Sequence, residues 1–310
     1  MDARVKKGTR APITVTAVGT AAVVTRAPLR HPANRGRSVL GGSGLLTAAS
    51  AVALGYPARL VCHHGRDPDG ERIRSWGREN RVHLPPGRRD QSSVHLVQEL
   101  CDGEGMIVAG TPDPGPTRSA IRTAVAEQSV LIIGDTGDQA LASLGHLLGY
   151  RRRAGLATPS IVTANLSAAA VRSWPNACAV WGVANLVTIG ERELDELGLD
   201  HSGARKFVRE DAVLVVTAGA GPVSIYTPDG DDRALVPGIA SAVDTMGAGD
   251  TYALALSVLL CKGADAIEAG HKAITAAQLM CHVDSVEGLA ALSWAANEAG
   301  PDPPGSEDEP

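Results

Sequence analysis

Short β-rich apolar runs alternate with helical stretches along most of this sequence. Residues 13–18, 58–62, 130–133, 160–163, 186–189, 212–216 and 223–226 are dense in Val, Ile, Leu and Ala and read as strands. Residues 45–54, 71–80, 139–152, 191–197, 251–261, 264–281 and 288–299 read as helices. Such alternation is satisfied by parallel strands joined through helices, which then cover both faces of the sheet. Two further runs, 94–100 and 106–109, flank Cys101-Asp102-Gly103-Glu104-Gly105 and read as a hairpin. Residues 21–25 read as another strand, followed by a polar, basic loop at 30–37.

The chain has 310 residues, enough for one large domain with a smaller appendage. Hydrophobic residues make up 44% and aromatics 3%, so a core must be built of Ala, Val and Leu. The net charge is −5, and Arg151-Arg152-Arg153 is the one basic cluster, which argues against nucleic-acid binding. Five cysteines without a Cys-x-x-Cys spacing read as free thiols. Residues 1–12 are polar and basic with no apolar core of a signal peptide, and no apolar run is long enough to cross a bilayer. A cytoplasmic protein is expected, with tails at 1–11 and 301–310, the latter acidic and Pro-rich, around a domain spanning 12–300.

The chemistry concentrates at Asp244-Thr245-Met246-Gly247-Ala248-Gly249-Asp250. An apolar run, 251–261, follows it and ends at Lys262-Gly263, so the glycines sit at a helix N-terminus. There the first backbone N–H groups lack intrahelical partners, and the helix dipole adds partial positive charge. Residues as small as Gly247, Ala248 and Gly249 let an anion approach those N–H groups. Asp250, beside such an anion hole, is placed to deprotonate a hydroxyl that attacks a phosphoryl group. The plainer alternative is a glycine turn capping a helix. No Gly-x-x-x-x-Gly-Lys-Ser/Thr loop occurs, and the first strand leads into Gly19-Thr20-Ala21-Ala22, which is not a dinucleotide fingerprint.

The seven-residue string resembles the Asp-Thr-x-Gly-Ala-Gly-Asp signature of the ribokinase (PfkB-type) sugar and nucleoside kinases. The resemblance covers about 13–290. It includes Gly41-Gly42 before an Ala-rich helix, Gly65-Arg66-Asp67-Pro68-Asp69-Gly70 as the family's Gly-x-Asp-x-x-Gly turn, and Thr217-Ala218-Gly219 as its Thr-x-Gly. Gly190-Glu191-Arg192-Glu193 aligns with its Asn-x-x-Glu. The resemblance implies a Rossmann-like α/β/α core with a mainly parallel central sheet and a small β-lid, formed by about 20–40 and 90–112. It also implies ATP and Mg²⁺ as cofactors, and pairing of two copies through the lid.

Site roles follow residue by residue. Asp250 is the base, and the Gly247, Ala248 and Gly249 amides form the anion hole. Thr217 and Gly219 meet the nucleotide. Glu193 organises the water shell of Mg²⁺, or is a surface acid in the charged run 191–196. Asp244 lies near a monovalent cation, K⁺, in relatives that have one. Gly41 and Gly42 open the helix lining the substrate site, or form a plain helix entry. Asp67 orients substrate or caps the helix that follows. Asn165 points to the substrate. His63 and His64, adjacent on a strand, face opposite ways and do not make a metal pair.

The chain departs from the family pattern at five positions. Val24 replaces an Asp that holds substrate hydroxyls, Leu46 an Asn, Gly190 the Asn of Asn-x-x-Glu, Pro222 a Gly, and Leu254 a small residue. The base and the anion hole are kept while substrate-side polar groups are lost, which argues against an ordinary aldose or ketose. The expected activity is ATP-dependent phosphorylation of a hydroxyl on a carbohydrate-like molecule: a sugar, a sugar derivative or a cyclitol. A nucleoside kinase of the same fold and a catalytically silent ligand-binding relative are the alternatives.

Overall fold

The computed structural model describes residues 12–27, 37–86, 91–99, 105–111, 113–127, 129–167, 171–230, 232–237, 245–283 and 286–291. Six parallel strands make up most of the main sheet and one of its edges: β1 (Val15–Val18), β4 (Ala58–Val61), β7 (Val130–Ile133), β8 (Ile161–Asn165), β9 (Leu186–Gly190) and β10 (Val213–Thr217). Two antiparallel strands, β11 (Val223–Tyr226) and β12 (Asp232–Leu235), extend one edge. The order is β12-β11-β10-β9-β8-β7-β1-β4. A separate four-stranded sheet has the order β3-β2-β5-β6, from β2 (Ala22–Ala27), β3 (Arg37–Gly41), β5 (Ser93–Glu99) and β6 (Gly105–Gly110). Within it β2 and β5 run parallel and the outer pairs antiparallel.

The period of two along the central strands explains the layering. Val130 and Ile132 of β7 pack on the face covered by α1 (Ser43–Ala53) and α2 (Pro68–Glu79), whereas Leu131 and Ile133 pack on the other face. That second face holds α3 (Arg118–Ala126), α4 (Asp138–Arg153) and α5 (Trp174–Trp181). The core is aliphatic, as the composition requires, and Trp174 gathers aromatics into one place. It stacks edge-on with Trp181 at 5.1 Å and with Phe207 at 5.0 Å. Two short helices, α6 (Glu191–Glu196) and α7 (His201–Arg205), connect β9 to β10.

The helix after the glycine motif, α8 (Ala248–Cys261), is buried without a break from Thr251 to Val258. It packs on α1, β8, β7 and α9 (Ala266–Met280), so it has no solvent face along that stretch. The last described helix is α10 (Val286–Ala291), and the rest of the helix expected over 288–299 falls outside the described residues. Among the described residues no helix is long and apolar enough to cross a membrane.

Several elements differ from expectation. Residues 37–41 form β3, not the end of a loop and the start of a helix entry; Val39 and Leu40 are buried in it. Strand β12 exposes Asp232, Arg233 and Ala234 and buries only Leu235, so an edge position left no apolar pattern to read. Helices α3, α5 and α7 were not expected as elements. A Thr117 side chain capping the Ala120 N–H starts α3, and an Asp200 side chain capping Gly203 starts α7.

Candidate active site

Strand β1 has β4 on one side and β7 on the other, so the chain reverses its direction of travel across the sheet between β1 and β7. In an open α/β sheet, ligands sit beyond the C-terminal strand ends at such a reversal. Thr20, just past β1, and Asp135, just past β7, meet there. The Thr20 N–H donates to the Asp135 carbonyl at 2.7 Å. The Thr20 hydroxyl lies 2.9 Å from that carbonyl and 2.8 Å from Asp113 Oδ2. Helix α1 is held against the same loop: the N–H groups of Gly44 and Leu45 both donate to the Thr20 carbonyl. A Cβ on Gly42 would stand 2.5 Å from that oxygen, and Gly42 has φ 98°, so only glycine allows this approach.

Gly247 caps α8 in the left-handed conformation, φ 87° and ψ −2°. The Ala248 N–H donates to the Thr245 carbonyl at 3.1 Å, which takes one of the three amides expected to line an anion hole. Gly249 is exposed, and a Cβ there would meet nothing within 4 Å, so its backbone is open to a ligand.

Asp250 follows in the first turn of α8. Asn165, the last residue of β8, donates from Nδ2 to Asp250 Oδ1 at 2.8 Å. The Thr188 hydroxyl on β9 donates to Asn165 Oδ1 at 2.6 Å. Asn165 was expected to face substrate; the structure places its amide on Asp250. Burial pushes the Asp250 carboxyl up to about 8, the nearby Asp135 charge pushes the same way, and the Asn165 bond opposes both. Asp135 in turn accepts from the Ser167 N–H at 3.0 Å and from its hydroxyl at 2.7 Å.

The next two strand ends carry the other expected residues. Thr217 pairs in register with Gly190, two residues beyond Thr188, so these three and Asn165 lie at the C-terminal ends of the neighbouring strands β8, β9 and β10. Gly219 has φ 58°. Glu193 is half-buried and folds back over Gly190, where a Cβ would collide with its Oε2. The absence of a side chain at 190 is what lets this carboxylate lie there. Burial raises the Glu193 pKa, and Asp135 and Glu196 add to the rise. Among the described residues no group of three His, Cys, Asp or Glu side chains is arranged to hold a metal ion.

Other expectations resolve differently. Asp67 caps α2: it accepts from the Gly70 N–H at 2.7 Å, the Ser92 N–H at 2.6 Å and the Ser92 hydroxyl at 2.7 Å. Gly41 belongs to β3, with its Cα turned toward Val24. Asp244 lies outside the described residues. His63 and His64 are both buried, and burial drops the His64 ring to about 4, which keeps it neutral. Three residues in the site were not singled out from sequence: Asp113, Asp135 and Thr188. Asp135 had a readable signal, an acid two residues past a strand of a parallel sheet.

Residues 15–288 match the family model described as pfkB family carbohydrate kinase. Among curated proteins none matches the chain. Solved structures of the same fold include ribokinase from Giardia lamblia, at TM-score 0.72 and 16% identity, covering 94% of this chain and 100% of that one. Fructokinase from Vibrio cholerae O395, bound to fructose, ADP and calcium, aligns at TM-score 0.70 and 16% identity, covering 93% and 98%. The nucleoside kinase of Methanocaldococcus jannaschii aligns at TM-score 0.67 and 16% identity, covering 88% and 93%.

Proposed function

The chain belongs to the pfkB family of carbohydrate kinases, and within that family we propose that it phosphorylates a hydroxyl of a small carbohydrate-like acceptor from ATP, with Asp250 as general base. Enzymes of this family are phosphotransferases, and ribokinase-family kinases use ATP. One observation carries the reading: a carboxyl with raised proton affinity stands in the first turn of α8, held by Asn165, beside the left-handed Gly247 cap.

In this reading Asp250 takes the proton of the acceptor hydroxyl as its oxygen attacks. A carboxylate whose pKa has risen toward neutrality is a stronger base than an exposed one. The amides of Gly247 and Gly249 meet the charge on the transferring phosphoryl oxygens, and Ala248 contributes once its bond to Thr245 yields. Thr217 and Gly219 border the nucleotide. Asp113 and Asp135, both half-buried at the strand reversal, take acceptor hydroxyls. Mg²⁺ bound with ATP would supply neutralisation of the phosphate charge. A cation that keeps its waters would be met by Glu193 through water; among the described residues no group of three such side chains forms a direct cage.

A nucleoside acceptor is the second reading. It is favoured by the apolar cluster of Ala22, Val24 and Val39 under the small sheet, against which Met246 of the glycine motif packs. The cluster is buried, and as an apolar wall beside the glycine motif it offers no partner to a ring of hydroxyls, whereas the faces of a base need none.

The test is ADP release with ATP and Mg²⁺ over sugars, sugar phosphates, cyclitols and nucleosides, with Asp250→Asn beside wild type. Turnover on one class, lost by about 10²-fold or more in the variant, is expected. Equal turnover in the variant would remove Asp250 as base. ATP binding without turnover on any class would favour a silent ligand-binding relative.

A further inference from the structure

We propose that Thr188 is a positioning residue for phosphoryl transfer: through Asn165 it fixes which oxygen of Asp250 meets the acceptor. This rests on the reading of Asp250 as base. Thr188 and Asn165 are register partners on the parallel strands β9 and β8, so their side chains leave the same face of the sheet as neighbours. Thr188 is buried and, being β-branched, has few rotamers, so its hydroxyl oxygen is held in one place beside Asn165. It donates to Asn165 Oδ1, and Asn165 Nδ2 then donates to Asp250 Oδ1.

The two ends of an asparagine amide are nearly equal in shape, so its direction is decided by what each end touches. Turned the other way, Asn165 would offer its carbonyl to Asp250. That arrangement is stable only when Asp250 carries a proton and donates it to the amide, and a protonated Asp250 is no base. By donating to Asn165 Oδ1, the Thr188 hydroxyl anchors the amide in the direction that favours an ionised Asp250, held by Oδ1. Asn165 is the only hydrogen-bond partner of the Asp250 carboxyl among the described residues, which leaves Oδ2 for the acceptor hydroxyl. The charge facing Asp250 is Asp135, from the turn after β7, and the bond that Thr188 anchors works against it.

The experiment measures ADP release against pH, on the full chain with saturating ATP, for wild type, Thr188→Val, Thr188→Ser and Asp250→Asn. Thermal melting accompanies each. Thr188→Val is expected to lower kcat up to about tenfold, the upper end for one hydrogen bond between neutral groups. It should leave acceptor KM within about twofold, since the lost contact touches no substrate. Its acid limb should move to higher pH, and Thr188→Ser should restore both rate and limb. If Val is not accepted in the strand, Thr188→Ala removes the same hydroxyl, and the limb is read there. Wild-type rate and limb in Thr188→Val, or equal loss in the Ser variant, would overturn the proposal while Asp250→Asn stays inactive. Activity retained in Asp250→Asn would instead remove the reading beneath it.

Discussion

The hydroxyls of Ser50 on α1 and Thr251 on α8 share a buried hydrogen bond of 2.7 Å between residues 201 positions apart. Each also reaches back one turn, Ser50 to the Leu46 carbonyl at 2.9 Å and Thr251 to the Gly247 carbonyl at 3.1 Å. The pair therefore ties the helix that starts beside Thr20 to the helix that carries Asp250. Ser50→Ala leaves the Thr251 hydroxyl with the Gly247 carbonyl as acceptor, so the loss is one shared bond, about 1 kcal/mol. Thermal unfolding should show a Tm about 2–4 °C lower, the shift that 1 kcal/mol produces in a domain of 150–250 residues, with the proposed turnover largely kept.

Gly247→Ala should fold and lose activity. Its φ of 87° is costly for any residue with a Cβ, about 1–2 kcal/mol. The new methyl would also stand 3.0 Å from Leu46 Cδ2 and 3.3 Å from Met280 Cε, both ends of flexible side chains that can move. Relief of the strain re-aims the amides at the head of α8, so kcat should fall more than about tenfold. Adding Leu46→Ala removes the contact but not the φ penalty. Turnover in the double variant should therefore stay low, which a kinetic comparison with the single variant checks.

Asp135→Asn should shift the pH dependence of the proposed reaction toward acid. The Asp135 charge raises the Asp250 pKa, so its removal lowers it. A base works deprotonated, so activity rises with pH through that pKa, and the rising limb of kcat/KM moves to lower pH in the variant. Asn165→Ala should move the limb the other way, because it deletes the bond that favours the ionised form. A pH profile of both variants checks the two signs.

Much of this was legible in the sequence because the parallel sheet leaves a strong mark. Strands buried on both faces read as dense aliphatic runs: β7 and most of β10 are unbroken, and β1, β4, β8 and β9 carry only one or two polar residues each. Edge elements leave less: β12 and β3 had no apolar run long enough to stand out. The motif at 245–250 carried its own chemistry, since three small residues and an acid at a helix start leave few structural alternatives. The partners of Asp250 were hidden, because Asn165, Thr188 and Asp135 come from three different strands. Only the register of β8 on β9 shows that Asn165 and Thr188 touch. Gly190 looked like a lost polar group, whereas the structure shows Glu193 lying over the space it vacates.

Glu193→Gln separates structure from function at that position. Burial first, then Asp135 and Glu196, hold the folded-state pKa of Glu193 above its ordinary value. Between the unfolded and folded pKa values the native chain keeps a proton that the unfolded chain has lost. Stability from this group therefore falls as pH rises through that window, and the disadvantage persists above it. Glutamine has no charge to desolvate, so the variant should show a flatter dependence of Tm on pH from acid to neutral. Above the window it should melt no lower than wild type. If Glu193 also serves the water shell of Mg²⁺, the same variant should need more Mg²⁺ for half-maximal turnover while its fold is unharmed. A stabilised variant with an unchanged Mg²⁺ requirement would make the carboxylate an occupant of the space over Gly190 and nothing more.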